Sequence, residues 1–136
     1  MWLAGKRITP TESTPKVVLD PEGIITIRGR ALNTNSEDIF RQINSWLDEY
    51  LDDPAETTNV EIYFEYFNSV NSLVFNTILR KISKLQLNNK KVVFNWYYDE
   101  DDEDILSLGE NISLALDIPM NLIMIPEAQD LVCQSD

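Results

Sequence analysis

The sequence predicts a single α/β domain: a mixed sheet of about five strands that opens with an N-terminal hairpin and carries three main helices. Three observations lead there. Apolar positions switch repeatedly between a two-residue period and a three-to-four-residue period, so strands and helices alternate along the chain. That alternation favours parallel neighbours joined by right-handed crossovers, while the hairpin adds an antiparallel edge. Finally, 136 residues with 43% hydrophobic content are enough for one core and too few for two.

The elements follow in order. Residues 1–15 hold Thr, Ser, Pro10 and Pro15 without periodicity, and are expected to form a flexible arm that does not order alone. "KVVLDPEGIITIRG" (16–29) reads as two short strands around a turn, since Pro21 presets its own φ and Gly23 accepts a positive one. In "NSEDIFRQINSWLDEYL" the residues Ile39, Phe40, Ile43, Trp46, Leu47, Tyr50 and Leu51 recur at helical spacing. Ser36, Glu37 and Asp38 suit the start of that helix, and it ends before Pro54.

"VEIYFEYF" (60–67) sets Val60, Ile62, Phe64 and Tyr66 against Glu61, Tyr63, Glu65 and Phe67, a strand whose 61/65 side faces water. Helices are therefore expected mainly on the other face of the sheet. Phe75, Ile78, Leu79, Ile82 and Leu85 line a second helix, closed by a left-handed cap at Asn88 or Asn89. "KVVFNWYY" (91–98) is another central strand, a third helix runs from about Glu103 to Leu116, and "MNLIMI" (120–125) is a last strand. The domain thus spans 16–127, and a polar tail covers 128–136.

Charge and composition exclude several functions. Twenty-three acidic against eleven basic residues leave a formal charge of -12, and the basic residues are scattered, so a phosphate backbone is repelled. Histidine is absent and Cys133 is the one cysteine, which removes disulfides, imidazole or thiolate zinc sites and His-assisted nucleophiles. The four glycines, at 5, 23, 29 and 109, form no phosphate-binding fingerprint. With no signal-like or membrane-length apolar run, a cytoplasmic protein without cofactor is expected.

Two stretches remain as candidate sites. In the acidic run "DEDDED" (99–104), a calcium loop would need Gly sixth and Glu twelfth, where Asp104 and Glu110 stand. Asp101, Asp102, Glu103 and Asp104 are better read as the first turn of the third helix, each gaining roughly 0.3–1 kcal/mol from the dipole before mutual repulsion. An acidic docking surface and a divalent-metal hydrolase are the other readings of that run.

The second stretch is "EYFNSVNS" (65–72), where a parallel strand hands over to a helix at the carboxyl edge of the sheet, a usual place for functional loops. Its plain reading is a helix cap by Ser69, Asn71 or Ser72. Its functional reading is an exposed Ser69 hydroxyl ahead of free helix N–H groups, where a phosphate would add about -1.5 to -2 charge.

From "TPKVVLD" and "IRGRALNTNSEDIF" through "FEYFNSVNS" to "VVFNWYYDEDDEDILSLGE", the chain resembles the SiaC family of bacterial regulatory phosphoproteins, whose fold is similar to anti-sigma factor antagonist (STAS) domains. The resemblance implies that Ser69, a Thr in the family pattern, is the phosphoacceptor. A partner-switching serine/threonine kinase would phosphorylate it, a metal-dependent phosphatase would reverse this, and the unmodified form would bind an effector such as a diguanylate cyclase. Two serines that usually follow the acceptor are here Val70 and Asn71, and a usual Pro–Glu pair is Asn33–Thr34. The expected partner-binding residues are Asn68, Val70, Asn71 and Ser72 with Asp101, Asp102 and Asp104. The rival reading is a constitutive protein-binding scaffold in which Ser69 only caps a helix.

Overall fold

The structure is a computed structural model and describes residues 3–32 and 34–126. Six strands form one sheet in chain order: β1 (Lys6–Ile8), β2 (Lys16–Asp20), β3 (Ile24–Ala31), β4 (Thr57–Phe67), β5 (Lys91–Asp99) and β6 (Met120–Ile125). Pairs β1–β2 and β2–β3 are antiparallel, and β3–β4, β4–β5 and β5–β6 are parallel. Helices α1 (Thr34–Tyr50), α2 (Ser72–Ser83) and α3 (Glu103–Leu116) are the three crossovers between the parallel strands. Successive crossovers of one hand, moving in one direction, deposit all three on the same face.

The strand count exceeds the expected five because part of the supposed arm pairs. Three residues carry no periodicity that could announce a strand; β1 exists because Lys6–Ile8 lies against Leu19–Val17. Further hydrogen bonds dock the rest. The Trp46 indole N–H donates to the Ala4 carbonyl at 2.9 Å, and Ser13 O accepts from Leu32 N at 3.0 Å and from the Ser36 hydroxyl at 2.9 Å. Met1, Trp2 and the expected tail 128–136 with Cys133 lie outside the described residues.

The hairpin turns where expected. Gly23 has φ +108°, and a Cβ there would stand 2.2 Å from the Thr57 carbonyl oxygen, so glycine is required twice over. The left-handed cap falls on Asn89, whose φ is 63°.

Beneath the helices, Val17, Leu19, Ile25, Ile27, Val60, Ile62, Phe64, Val92, Phe94 and Trp96 meet Phe40, Ile43, Leu47, Phe75, Ile78, Leu79 and Ile112 in one buried cluster. Among the described residues the opposite face carries no helix, as the acidic positions of β4 imply. There the Tyr97 hydroxyl and Asn95 Nδ2 donate to the two oxygens of Glu61, each at 2.6 Å. Asn121 Nδ2 donates to Asn95 Oδ1 at 2.9 Å, the Tyr63 hydroxyl donates to Asp99, and the Arg28 guanidinium lies over both tyrosine rings. A solvated sheet face is thus held by its own polar ladder.

One expected assignment inverts. The β3–β4 register shifts between Gly29 and Arg30, pairing Gly29 with Phe64 but Arg30 with Tyr66. The extra residue, Glu65, reverses the alternation after it, as a bulge does. Tyr66 turns to solvent, and Phe67 goes inward to lie 5.0 Å from the Phe64 ring and 5.3 Å from Phe75.

Candidate functional site

The parallel direction of β3, β4 and β5 brings their carboxyl ends to one edge of the sheet, so the segments after Ala31, Phe67 and Asp99 leave side by side. After Phe67 the chain does not enter α2 directly. Asn68 stays extended (φ -84°, ψ 129°), a 3₁₀ turn covers Ser69–Asn71, and α2 follows from Ser72.

Asn68 builds this corner. Its Oδ1 accepts from Val70 N at 3.0 Å, its Nδ2 donates to the Leu32 carbonyl at 3.0 Å, and its backbone N–H donates to Ala31 O at 2.8 Å. One amide therefore caps the turn and fastens it to the segment after β3. That segment is held in turn by Ser13, so the docked arm supports the corner from behind.

The cap is Asn68, and none of Ser69, Asn71 or Ser72 caps with its side chain. Ser69 is exposed, and its hydroxyl makes no hydrogen bond among the described residues. Asn71, expected on the partner surface, is fully buried at 0% exposure. Its Nδ2 donates to Asn68 O at 3.3 Å, so it supports the turn from inside and cannot itself be touched by a partner. Val70 is 49% exposed and Ser72 partly so.

Leu73 escaped the sequence reading, yet it is 80% exposed one residue into α2. The signal was present: an apolar residue at 73 falls outside the 75/78/79/82 stripe that packs on the sheet. Ser69, Val70 and Leu73 thus give the corner one free hydroxyl beside two exposed aliphatic side chains.

The acidic run occupies the neighbouring position on the same edge. α3 begins at Glu103, so Asp101 precedes the helix instead of joining its first turn. Asp102 is the N-cap, its carboxylate accepting from Ile105 N at 3.0 Å. Asp101 and Asp104 are exposed and Asp102 half-buried. Among the described residues no group of three or more His, Cys, Asp or Glu is arranged to hold a metal ion. A hollow of about 430 Å³ between Leu3, Pro21, Glu49, Tyr50 and Asp53 lies at the other edge of the sheet, away from Ser69. No helix among the described residues is long and apolar enough to cross a membrane.

The distinctive string "WYYDEDDED…GE" has a packing basis. Trp96 is fully buried and its indole N–H donates to Ile105 O at 3.0 Å. Gly109, one turn on, leaves room for the ring: a Cβ there would sit 2.6–2.9 Å from three of its atoms. Trp96 and Gly109 are therefore a matched pair that docks α3, and the acids between them include its cap.

Comparison with known proteins completes this picture. A 104-residue match at 25% identity, covering 76% of this chain and 82% of the other, is to an uncharacterized protein of Pseudomonas aeruginosa (strain UCBPP-PA14). The fold matches the crystal structure of apo-SiaC from Pseudomonas aeruginosa with a TM-score of 0.78 at 21% identity, over 89% of this chain and 99% of that one. It also matches the crystal structure of the diguanylate cyclase SiaD in complex with its activator SiaC, from the same organism, with a TM-score of 0.80 at 22% identity over 88% and 99%. The model of the SiaC family regulatory phosphoproteins covers residues 8–125, from the end of β1 to the end of β6. With five of the six strands entire and all three helices inside that match, the chain belongs to the SiaC family of regulatory phosphoproteins.

Proposed function

We propose that this protein is a non-enzymatic, cytoplasmic phospho-switch in which Ser69 accepts a phosphate from a serine/threonine kinase and loses it to a metal-dependent phosphatase. The unmodified form binds an effector, a diguanylate cyclase or a similar signalling protein. The observation that carries this reading is the exposed Ser69 hydroxyl, left free because Asn68 does the capping. Family membership supports it, as does the relative crystallised with a cyclase that it activates.

The switch would work by charge. A phosphate brings about -1.5 to -2 charges to an edge that already carries Asp101, Asp102 and Asp104, beside the exposed Val70 and Leu73. Desolvating it against a partner costs several kcal/mol, and about 3 kcal/mol is already more than a hundredfold in affinity.

The test is co-expression with the cognate kinase, followed by intact-mass measurement of wild type and Ser69→Ala. One added phosphate on wild type and none on the variant is expected. Phosphate on both moves the acceptor elsewhere. Effector affinity that is unchanged by phosphate leaves a constitutive scaffold.

A further inference from the structure

The two edges of the sheet are treated differently. β1 is three residues long and carries Lys6 and Arg7, with Pro10 just beyond, the usual devices that keep an edge from recruiting another strand. β6 is bracketed by Pro119 and Pro126, but the strand between them is twice as long and carries no charge and no proline of its own. Its six residues, Met-Asn-Leu-Ile-Met-Ile, hold no charge in a chain of net charge -12, and among the described residues only β5 pairs with it. Leu122 is 36% and Met124 50% exposed, both on the helix side of the sheet, since they pair in register with Trp96 and Tyr98. Asn121, the one polar member, is already committed to Asn95.

We propose that β6 pairs antiparallel with β6 of a second copy of this chain, making one continuous sheet through a two-fold axis. The strand is complementary to itself. A two-fold axis perpendicular to the sheet keeps the helix sides together, so helix-side residues meet helix-side residues. Centred on Ile123, it sets Leu122 opposite Met124 of the other copy and Met124 opposite its Leu122. These are the two exposed apolar side chains of the strand, and each covers the other. Asn121 then stands opposite Ile125. No register of this strand on itself puts like charges opposite one another, the arrangement that penalises sheet pairing. A sheet of twice six strands lies within the range of about 8–15 seen in open sheets.

Two copies of net charge -12 repel outside the contact, so pairing through an uncharged strand strengthens as salt shortens the screening length from about 10 Å at 0.1 M to about 3 Å at 1 M. A contact made of ion pairs would weaken instead.

The experiment is sedimentation velocity from about 5 to 200 µM at low and high salt, with amide hydrogen exchange of residues 120–125 read over the same concentrations. A concentration-dependent dimer that tightens with salt is expected, with exchange in β6 slowing as it forms. Leu122→Lys and Met124→Lys should each weaken it more than about tenfold while leaving the unfolding midpoint of the dilute monomer unmoved, whereas Leu73→Lys, also apolar and more exposed but on α2, should leave it intact. A monomer across the whole range, a Leu73→Lys effect equal to that of Met124→Lys, or β6 exchange indifferent to concentration would overturn the proposal. The exchange reading stands even if a lysine variant folds poorly.

Discussion

Gly109→Ala tests the packing behind the "WYYDEDDED…GE" string, because two effects of opposite sign compete at that site. Alanine in a helix interior is favoured over glycine by about 0.5–1 kcal/mol. Against this, the new Cβ would meet Trp96 Nε1, Cδ1 and Cε2 at 2.6, 2.7 and 2.9 Å, distances that real Cβ atoms essentially never show. The ring has little room to retreat, since it is fully buried, with Phe64 and Phe75 centroids at 5.9 and 6.3 Å. Overpacking of this kind costs about 1–3 kcal/mol, and a displaced ring also gives up its bond to Ile105 O, worth about 1 kcal/mol. Subtracting the helix gain leaves a net loss of about 2 kcal/mol, or roughly 5–8 °C in Tm for a domain of this size. Urea and thermal unfolding measure it. Asn111→Ala, exposed on the same helix, isolates the propensity effect and should gain a few tenths of a kcal/mol. If Gly109→Ala is as stable as wild type or more so, the glycine is not there for the tryptophan.

Four other outcomes are expected. Asn68→Ala removes both the cap on Val70 N and the tie to Leu32 O and should cost about 2 kcal/mol in urea unfolding, while Asn68→Asp keeps the cap and should cost about half of that. Asp102→Ala uncaps α3 and should cost about 1 kcal/mol in the same assay, whereas exposed Asp101→Ala stays within about 0.5 kcal/mol. Tyr63 is pushed well above the ordinary phenol range by burial and by its bond to Asp99, and Tyr97 is raised by its bond to Glu61 and by burial. A raised folded-state pKa stabilises below the unfolded value of about 10 and is lost as pH climbs past it, so unfolding free energy should fall above about pH 10, and the paired Tyr63→Phe and Tyr97→Phe change should flatten that fall. The phosphorylated and unmodified proteins should unfold within about 1 kcal/mol of each other in urea, because among the described residues no hydrogen bond uses the Ser69 hydroxyl; a larger gap would move the proposed switch from the surface into the fold.

Much of the fold was legible because its signals are local and repeated. α3 and β6 lie over the residues that periodicity marks, and the acids at 61 and 65 reveal the helix-free face. What was missed depends on partners distant in sequence. Lys6–Ile8 is a strand only because β2 lies beside it. Tyr66 and Phe67 exchange faces because of a bulge in pairing with β3, which no reading of β4 by itself contains. Asn71 looks like a surface cap in a polar string, but the 3₁₀ turn before α2 rotates it inward, where its Oδ1 has no partner among the described residues. At the site, an exposed Ser69 was foreseeable from the strand-to-helix corner, and Leu73 from its place off the apolar stripe. The hydrogen bonds by which Asn68 and Ser13 brace that corner required coordinates.

These findings divide the labour at the corner. Geometry is set by groups that face inward or along the backbone: Asn68 to Leu32 and Val70, Asn71 to Asn68, Leu32 to Ser13. The side chains that point outward, those of Ser69, Val70 and Leu73, take no part in these bonds. A capping serine would have to release its hydroxyl from the helix to enter a kinase active site, and the phosphate would then take up the helix N–H groups itself, which would couple modification to the first turn of the helix. By placing the cap one residue earlier, on a side chain that no kinase modifies, the fold leaves the Ser69 hydroxyl free to change while the corner stays in place. Such an arrangement is what the proposed switch requires, a surface whose charge changes while its shape does not.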